Sequence, residues 1–290
     1  MLGISPIKLN VALVPSLLPS DPDALRQSVC IVVDVVRATT TLTVLFDRGC
    51  ERVLIAPGIA QARAARRTPD GLRLLAGESG GVAPEGFDLG NSPAAVAGSD
   101  MRGKEIVFAT TNGTQALRSC ENASLVLAGS LRNAAAVAHA ALASVQRMPG
   151  RVGADPAGRS TRSEASEATL DNYSADIIVV CSGRHGNPAY DDTICAGYII
   201  EALTRAANDT GVECHPLEQA AIAVDLLRYV RSVSSIRDAL ARSDAGRAVK
   251  SIGLEGDLDF CAAADVSNAV PMLRADSPES DLLLMTDARR

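Results

Sequence analysis

At 290 residues the chain is long enough for one large domain or two small ones, with a substantial core. Hydrophobic residues at 47% and charged residues at 21% are those of an ordinary soluble globular protein, and with no Trp, four Phe and four Tyr the core has to be aliphatic. A net charge of −6 with dispersed basic residues argues against nucleic-acid and anionic-membrane partners, and the shortage of aromatic rings argues against a base-stacking surface.

Residues 7–14 read as a first strand, 15–22 as a loop and 21–26 as a turn or short helix. The next stretch, CIVVDVVRATTTLTVLFDRG at 30–49, is the one that organises the rest. It opens with a short β-branched run, 30–33, bounded like a buried strand. Asp34 stands at the strand's end, then Arg37, then the hydroxyls of Thr39, Thr40 and Thr41. Leu42, Leu45 and Phe46 fall on one helix face, and Gly49 is placed to stop that helix. A helix N-terminus with unpaired N–H groups suits an anion. Taken alone, the stretch fits equally well a capped helix with an Asp34–Arg37 pair.

Strands are then predicted at 52–56, 72–76, 106–109, 124–128 and 176–181, with helices at 59–67, after Ser92-Pro93, after 110–114, from Asn133 to about 146, and from Asp192 to about 208. Residues 148–172 are polar and rich in Gly, Pro, Arg and Ser, which predicts a mobile insertion. The remainder reads as helical through 216–228, 234–241 and 244–252. A final run at 269–273 reads as an edge strand, because it contains Pro271. Alternation of strand and helix predicts an α/β fold, a layered mixed or largely parallel sheet with helices on both faces, in a single domain of residues 1–290.

No apolar run approaches the length of a bilayer, and MLGISPIKLNVALVPS lacks the features of a signal peptide. Seven scattered cysteines without a CxxC pair read as reduced thiols in the cytoplasm. With only His139, His185 and His215 available, any metal has to be held mainly by oxygen.

Four predicted strands end in polar or small residues, at 34–41, 77–81, 110–114 and 181–192. If those strands run in parallel, the four loops converge. They would then bring together Asp34, Glu78, Asp191, Asp192, Arg37 and several hydroxyls, a set suited to a hard dication and a phosphate. Each acid alone reads as well as a cap or a surface charge. Three other phosphatase patterns fail. Asp34 has no second Asp two residues on, Cys181 has Asn187 where an Arg is needed, and Arg184-His185-Gly186 has no Arg two residues on.

DVVRATTT at 34–41, AGESGG at 76–81, GFDLGNSP at 86–93, TTNGTQAL at 110–117, GS followed by Asn133, and DDTICAG at 191–197 occur in family order. Together they resemble the 2-phosphosulfolactate phosphatase (ComB) family. The resemblance spans roughly residues 30 to 200, with a looser match at Val270-Pro271. It implies a Mg²⁺-dependent phosphatase that converts 2-phosphosulfolactate, or a similar small phosphorylated hydroxy acid, to sulfolactate and phosphate. That reaction is a step toward coenzyme M in some organisms. A homodimer is also implied. By motif, the site residues implied are Asp34, Arg37, Thr39, Glu78, Asp88, Asn91, Thr111, Asn112 and Asp192, with Thr40, Gly113 and Arg184 added as substrate contacts. Asp34, Glu78, Asp88 and Asp192 are the expected metal ligands, and Asp34, Arg37 and Asp192 the expected catalytic groups. The family usually has Glu-Asp where this chain has Asp191-Asp192, so Asp192 is carried over directly and Asp191 stands where the family has a glutamate. The competing expectation is a non-catalytic protein that binds a small phosphorylated anion at the same loops.

Overall fold

A computed structural model describes residues 6–69, 71–148, 175–275, 277 and 281–289. Apart from Met148, the insertion expected at 148–172 lies outside them. Strand β1 (Ile7–Ala12) leads to α1 (Pro22–Arg26), capped by Asp21. β2 (Val29–Val33) and α2 (Ala38–Asp47) are the strand and Thr-rich helix expected at 30–49. β3 (Arg52–Ile55) and α3 (Ile59–Ala64) precede a small pair, β4 (Arg67–Thr68) and β5 (Gly71–Leu72). β6 (Leu74–Gly77), β7 (Leu89–Gly90) and α4 (Pro93–Ala97) follow, and Ser92 accepts from the Ala95 N–H as the predicted cap of α4. β8 (Glu105–Ala109), α5 (Gly113–Ser119), β9 (Leu125–Gly129) and α6 (Ala134–Arg147) continue the alternation. β10 (Ile177–Cys181) precedes α7 (Tyr190–Asp209). After β11 (Cys214–Pro216) come α8 (Glu218–Val233), α9 (Ile236–Arg242), α10 (Asp244–Ser251) and α11 (Asp257–Ala262). The chain closes with β12 (Pro271–Arg274) and β13 (Leu283–Asp287).

Among the described residues 11 strands form one sheet, in the order β11-β1-β10-β2-β9-β12-β13-β3-β8-β6-β7. It is mixed and mostly parallel, as expected, but its two halves oppose each other. β11, β1, β10, β2 and β9 run one way. β3, β8, β6 and β7 are parallel among themselves and, through the antiparallel β12 and β13, run the other way. The expected edge strand at 269–273 is therefore corrected: β12 lies inside the sheet, between β9 and β13. Pro271 is tolerated there because it is the first residue of its strand, and β12 meets β9 only at Met272↔Leu127.

Alternate residues of the strands face two layers. Cys30, Val32, Val53, Ile55, Ala76, Ile106 and Phe108 share one core that spans both halves and includes α2, α4 and α5. Behind the first half, Val29, Ile31, Val33, Ile177 and Val179 pack on α6, α7 and α8. Behind the second, Leu54, Leu75 and Val107 pack with Ala62 of α3. Helix α2 is buried along its whole length from Ala38 to Phe46, which explains why its sequence is apolar or Thr on every side. Sheet twist of roughly 20–25° per strand accumulates to on the order of 100° over the five steps from β2 to β8. Loops from both halves meet at the start of α2, where Arg37 Nη2 reaches the Gly81 carbonyl and a Cβ on Gly113 would lie 2.8 Å from Asp34 Oδ2. The expected convergence holds, for a reason other than parallel strands.

Candidate active site

The β2–α2 turn is closed on itself. The Ala38 N–H donates to Asp34 Oδ1 at 3.2 Å, and the Thr39 N–H donates to the Asp34 carbonyl at 2.9 Å. Thr39 Oγ1 donates to the Asp34 carbonyl at 3.0 Å, and Thr40 Oγ1 to the Val35 carbonyl at 2.7 Å. Both threonines are fully buried. The hydroxyls of Thr39 and Thr40, expected as substrate contacts, thus pin this turn, and the Ala38 and Thr39 N–H groups at the start of α2 are bonded within it. The Val36–Arg37 peptide is cis.

Three carboxyl groups meet beyond that turn. Asp34 comes from the end of β2, and Asp191 and Asp192 from the first turn of α7; they are 9%, 3% and 3% exposed. Asp192 is not the helix cap expected from sequence, since α7 starts at Tyr190 behind Ala189. Its Oδ1 accepts from the Val35 N–H at 2.9 Å, and its Oδ2 accepts from Ser182 Oγ at 2.9 Å and the Gly183 N–H at 3.1 Å. It therefore ties the turn after β2 to the turn after β10. Burial pushes Asp34 up to about 6, opposed by the Ala38 N–H and reinforced by the charge of Glu78. Burial, then repulsion from Asp34, pushes Asp191 up to about 7. Burial and repulsion from Asp191 and Asp34 drive Asp192 well above the ordinary carboxylate range. Asp191, which the motif comparison does not carry over directly, belongs to the group. Among the described residues none of the three carboxyls forms an ion pair within 4.0 Å.

Arg37 has a different role from the phosphate grip expected of it. Its Nη1 donates to Asp257 Oδ2 at 2.9 Å and its Nη2 to the Gly81 carbonyl at 2.6 Å. Asp257 Oδ1 accepts from Ser92 Oγ at 2.6 Å and the Ala94 N–H at 3.1 Å. One buried ion pair thus joins the β2–α2 turn, the 77–81 loop, α4 and α11. Sequence reasoning misses Asp257 because it lies 220 residues from Arg37 and in no motif.

The other expected residues divide. Glu78 accepts from the Gly81 N–H at 2.8 Å and the Thr111 N–H at 2.7 Å, bracing two loops beside Asp34. Gly113 is buried, and a Cβ there would lie 2.8 Å from Asp34 Oδ2 and 2.6 Å from Ala38 Cβ. Only glycine lets α5 approach Asp34 that closely, so Gly113 supports the site from behind. Thr111 is exposed and Asn112 half-buried at the same loop. Asn91 is 5% exposed, and its Oδ1 is buried without a hydrogen-bond partner among the described residues. Asp88, an expected metal ligand, has partners within the chain: its oxygens accept from Arg66 Nη2 at 2.9 Å and the Leu75 N–H at 2.8 Å. Arg184 lines a cavity on the outer side of Asp191.

A family profile described as 2-phosphosulpholactate phosphatase matches residues 13–276. The chain belongs to the 2-phosphosulfolactate phosphatase family. A probable 2-phosphosulfolactate phosphatase of Thermus thermophilus is 34% identical over 269 residues, 92% of this chain and 95% of the relative. One of Deinococcus radiodurans is 36% identical over 254 residues, covering 87% and 90%. One of Gloeobacter violaceus is 32% identical over 267 residues, covering 91% and 94%.

In this member of the family, no group of three His, Cys, Asp or Glu side chains among the described residues forms a ready-made metal cage. Mg²⁺ needs none, since it commonly takes one or two carboxylates and completes its shell with water and substrate phosphate. Hard oxygen donors, buried and unneutralised, fit such an ion. Asp34 is the carboxyl suited to hold it, because Asp192 has both oxygens committed within the chain. Ser182, which bonds Asp192 and also lowers the Asp34 carboxyl, is a second group that sequence reasoning passes over. Its only signal is its place at the end of β10.

Proposed function

We propose that the chain is a Mg²⁺-dependent phosphoric monoester hydrolase acting on a small phosphorylated hydroxy acid, with 2-phosphosulfolactate, the compound in its relatives' names, as the first candidate. The observation that carries this reading is the group of three buried carboxyls without an ion pair, two of them held at about 6 and about 7. Such a group both attracts a cation and keeps a proton near neutral pH. When bound, Mg²⁺ would offset phosphoryl charge and lower the pKa of a water.

The chain's own residues supply the rest. Asp191, at the open side of the group, is suited to protonate the departing alkoxide, because a carboxyl held near neutrality still carries its proton there. Asp34 is suited to orient or deprotonate the attacking water. Asp192 positions both by fixing the two turns they stand on. Asn91 Oδ1 and the Thr111–Asn112 edge face the substrate, and Arg37 holds the 77–81 loop in place through Asp257 and Gly81. The cytoplasmic location and the homodimer implied by the resemblance belong to this proposal. Among the described residues no helix is long and apolar enough to cross a membrane.

The test is phosphate release from a panel of small monoesters, including 2-phosphosulfolactate and phospholactate, with Mg²⁺ and with EDTA. EDTA-sensitive release is expected. No release from any ester, together with thermal stabilisation by the same compounds, would overturn the hydrolase in favour of an anion-binding protein.

A further inference from the structure

On the open side of Asp191 lies a cavity of about 510 Å³, whose lining includes Arg184, His185, Tyr190, Asp191, Arg242 and Arg247. That volume is within the range of small-molecule sites. Its charge runs against that of the chain, which carries −6 overall. Three arginines face two aspartates, and one of these, Asp244, is already paired with Arg247.

The arginines come from separate segments. Arg184 stands in the loop between β10 and α7, Arg242 ends α9, and Arg247 lies on α10. Arg242 donates Nη2 to Ser234 Oγ at 3.0 Å. Arg247 donates Nη1 to the Arg242 carbonyl and Nη2 to Asp244. These bonds orient both guanidinium forks and leave further N–H donors on each. The half-buried Arg184 makes no guanidinium hydrogen bond to any described residue.

We propose that this cavity is the subsite for a second anionic group of the substrate, a carboxylate or a sulfonate, with Arg184, Arg242 and Arg247 as its specificity-determining residues. The proposal rests on the hydrolase reading and extends it to α9 and α10, where no motif lies. Three buried carboxyls repel any additional anion on the substrate, so a multiply charged ester needs positive charge on the side facing away from them. Guanidinium forks are suited to planar carboxylates and to sulfonate oxygens, which they can bind through two N–H groups at once. Asp191 is both a member of the acid group and part of the cavity wall, so the cavity adjoins that group.

The experiment compares wild type with Arg184→Gln and with the double variant Arg242→Gln/Arg247→Gln. kcat/KM is measured for 2-phosphosulfolactate and for ethyl phosphate, an ester without a second acid. Each variant is expected to lose at least tenfold more on the acidic substrate, mainly through KM, with Arg247→Lys recovering part of the loss. Equal losses on both esters, or none, overturn the subsite. Calorimetry with non-phosphorylated sulfolactate reads the cavity separately from turnover. Wild type should bind it at least tenfold more tightly than the double variant, and equal binding overturns the subsite whether or not any ester is hydrolysed. Absence of turnover with the arginine-dependent binding intact would instead remove the hydrolase reading and leave the anion subsite standing.

Discussion

Arg37 and Asp257 are buried, their side chains 3% and 1% exposed, and each charge is answered by the other and by Gly81, Ser92 and Ala94. Asp34, only three residues from Arg37, is buried with Asp191 and Asp192. Among the described residues none of the three forms an ion pair within 4.0 Å. Their oxygens accept from N–H and hydroxyl donors, and Arg37 and Arg184 act on Asp34 and Asp191 only from farther away. The desolvation is similar in the two places and the outcome is opposite. Where a counter-charge is built in, burial gives a lock that ties four segments together. Where none is built in, burial is relieved by holding protons, or by a cation from outside. The first arrangement fixes the site and the second gives it something to do.

The contrast is most exposed by Asp34→Asn. Turnover should fall by roughly 10²–10⁴-fold, the range for loss of an acid–base group, while the thermal midpoint at pH 8 does not fall. Activity retained per folded molecule would remove Asp34 from the chemistry. Next is Asp257→Ala, which leaves the Arg37 charge buried and unpaired. Urea unfolding should show a loss of about 3–5 kcal/mol, and Arg37→Met combined with Asp257→Leu should restore most of it without restoring activity. A cost under about 1 kcal/mol would mean that the pair is no lock.

A smaller effect separates the two regions by pH. Asp34 at about 6 and Asp191 at about 7 both lie above the ordinary 3.8, so the folded protein binds more protons than the unfolded chain between those values. Their contribution is fully present below about pH 4 and is lost as pH rises through 6 to 7. Without divalent cations, stability should therefore decline from pH 6 to pH 8, by on the order of 2 kcal/mol. Asp191→Asn should flatten the decline, and a flat wild-type profile would contradict the protonated state. Smallest is Thr40→Val, which removes the hydroxyl bond to the Val35 carbonyl. About 1 kcal/mol of stability should be lost with KM unchanged. A raised KM at unchanged stability would return Thr40 to the substrate.

Most of the scaffold could be read from local pattern. The buried run at 30–33, the Ser92-Pro93 start of α4 and the Gly49 stop after α2 depend on neighbours within a few residues, and all three are observed. The acids at strand ends were legible for the same reason, because a carboxylate directly after a buried strand has few places to go. Pro271 misled, since a missing N–H disfavours the middle of a strand but not its first residue.

The sequence by itself determined the alternation of strand and helix, the family, and the presence of Asp34 after one strand and Asp192 in the segment that follows another. Only the tertiary structure decided which of the polar groups remain available. Thr39 and Thr40 spend their hydroxyls inside the turn, Asp88 is taken by Arg66, and Arg37 is taken by an aspartate 220 residues away. Asp191, one of the acids the sequence offered, proves to be buried with Asp34 and Asp192, and three arginines from separate segments come to border one cavity. The physical reason is that a residue type specifies what a group can bond, whereas its availability and its pKa depend on what else is buried beside it. In this chain those neighbours are supplied by a twisted sheet whose two halves run in opposite directions.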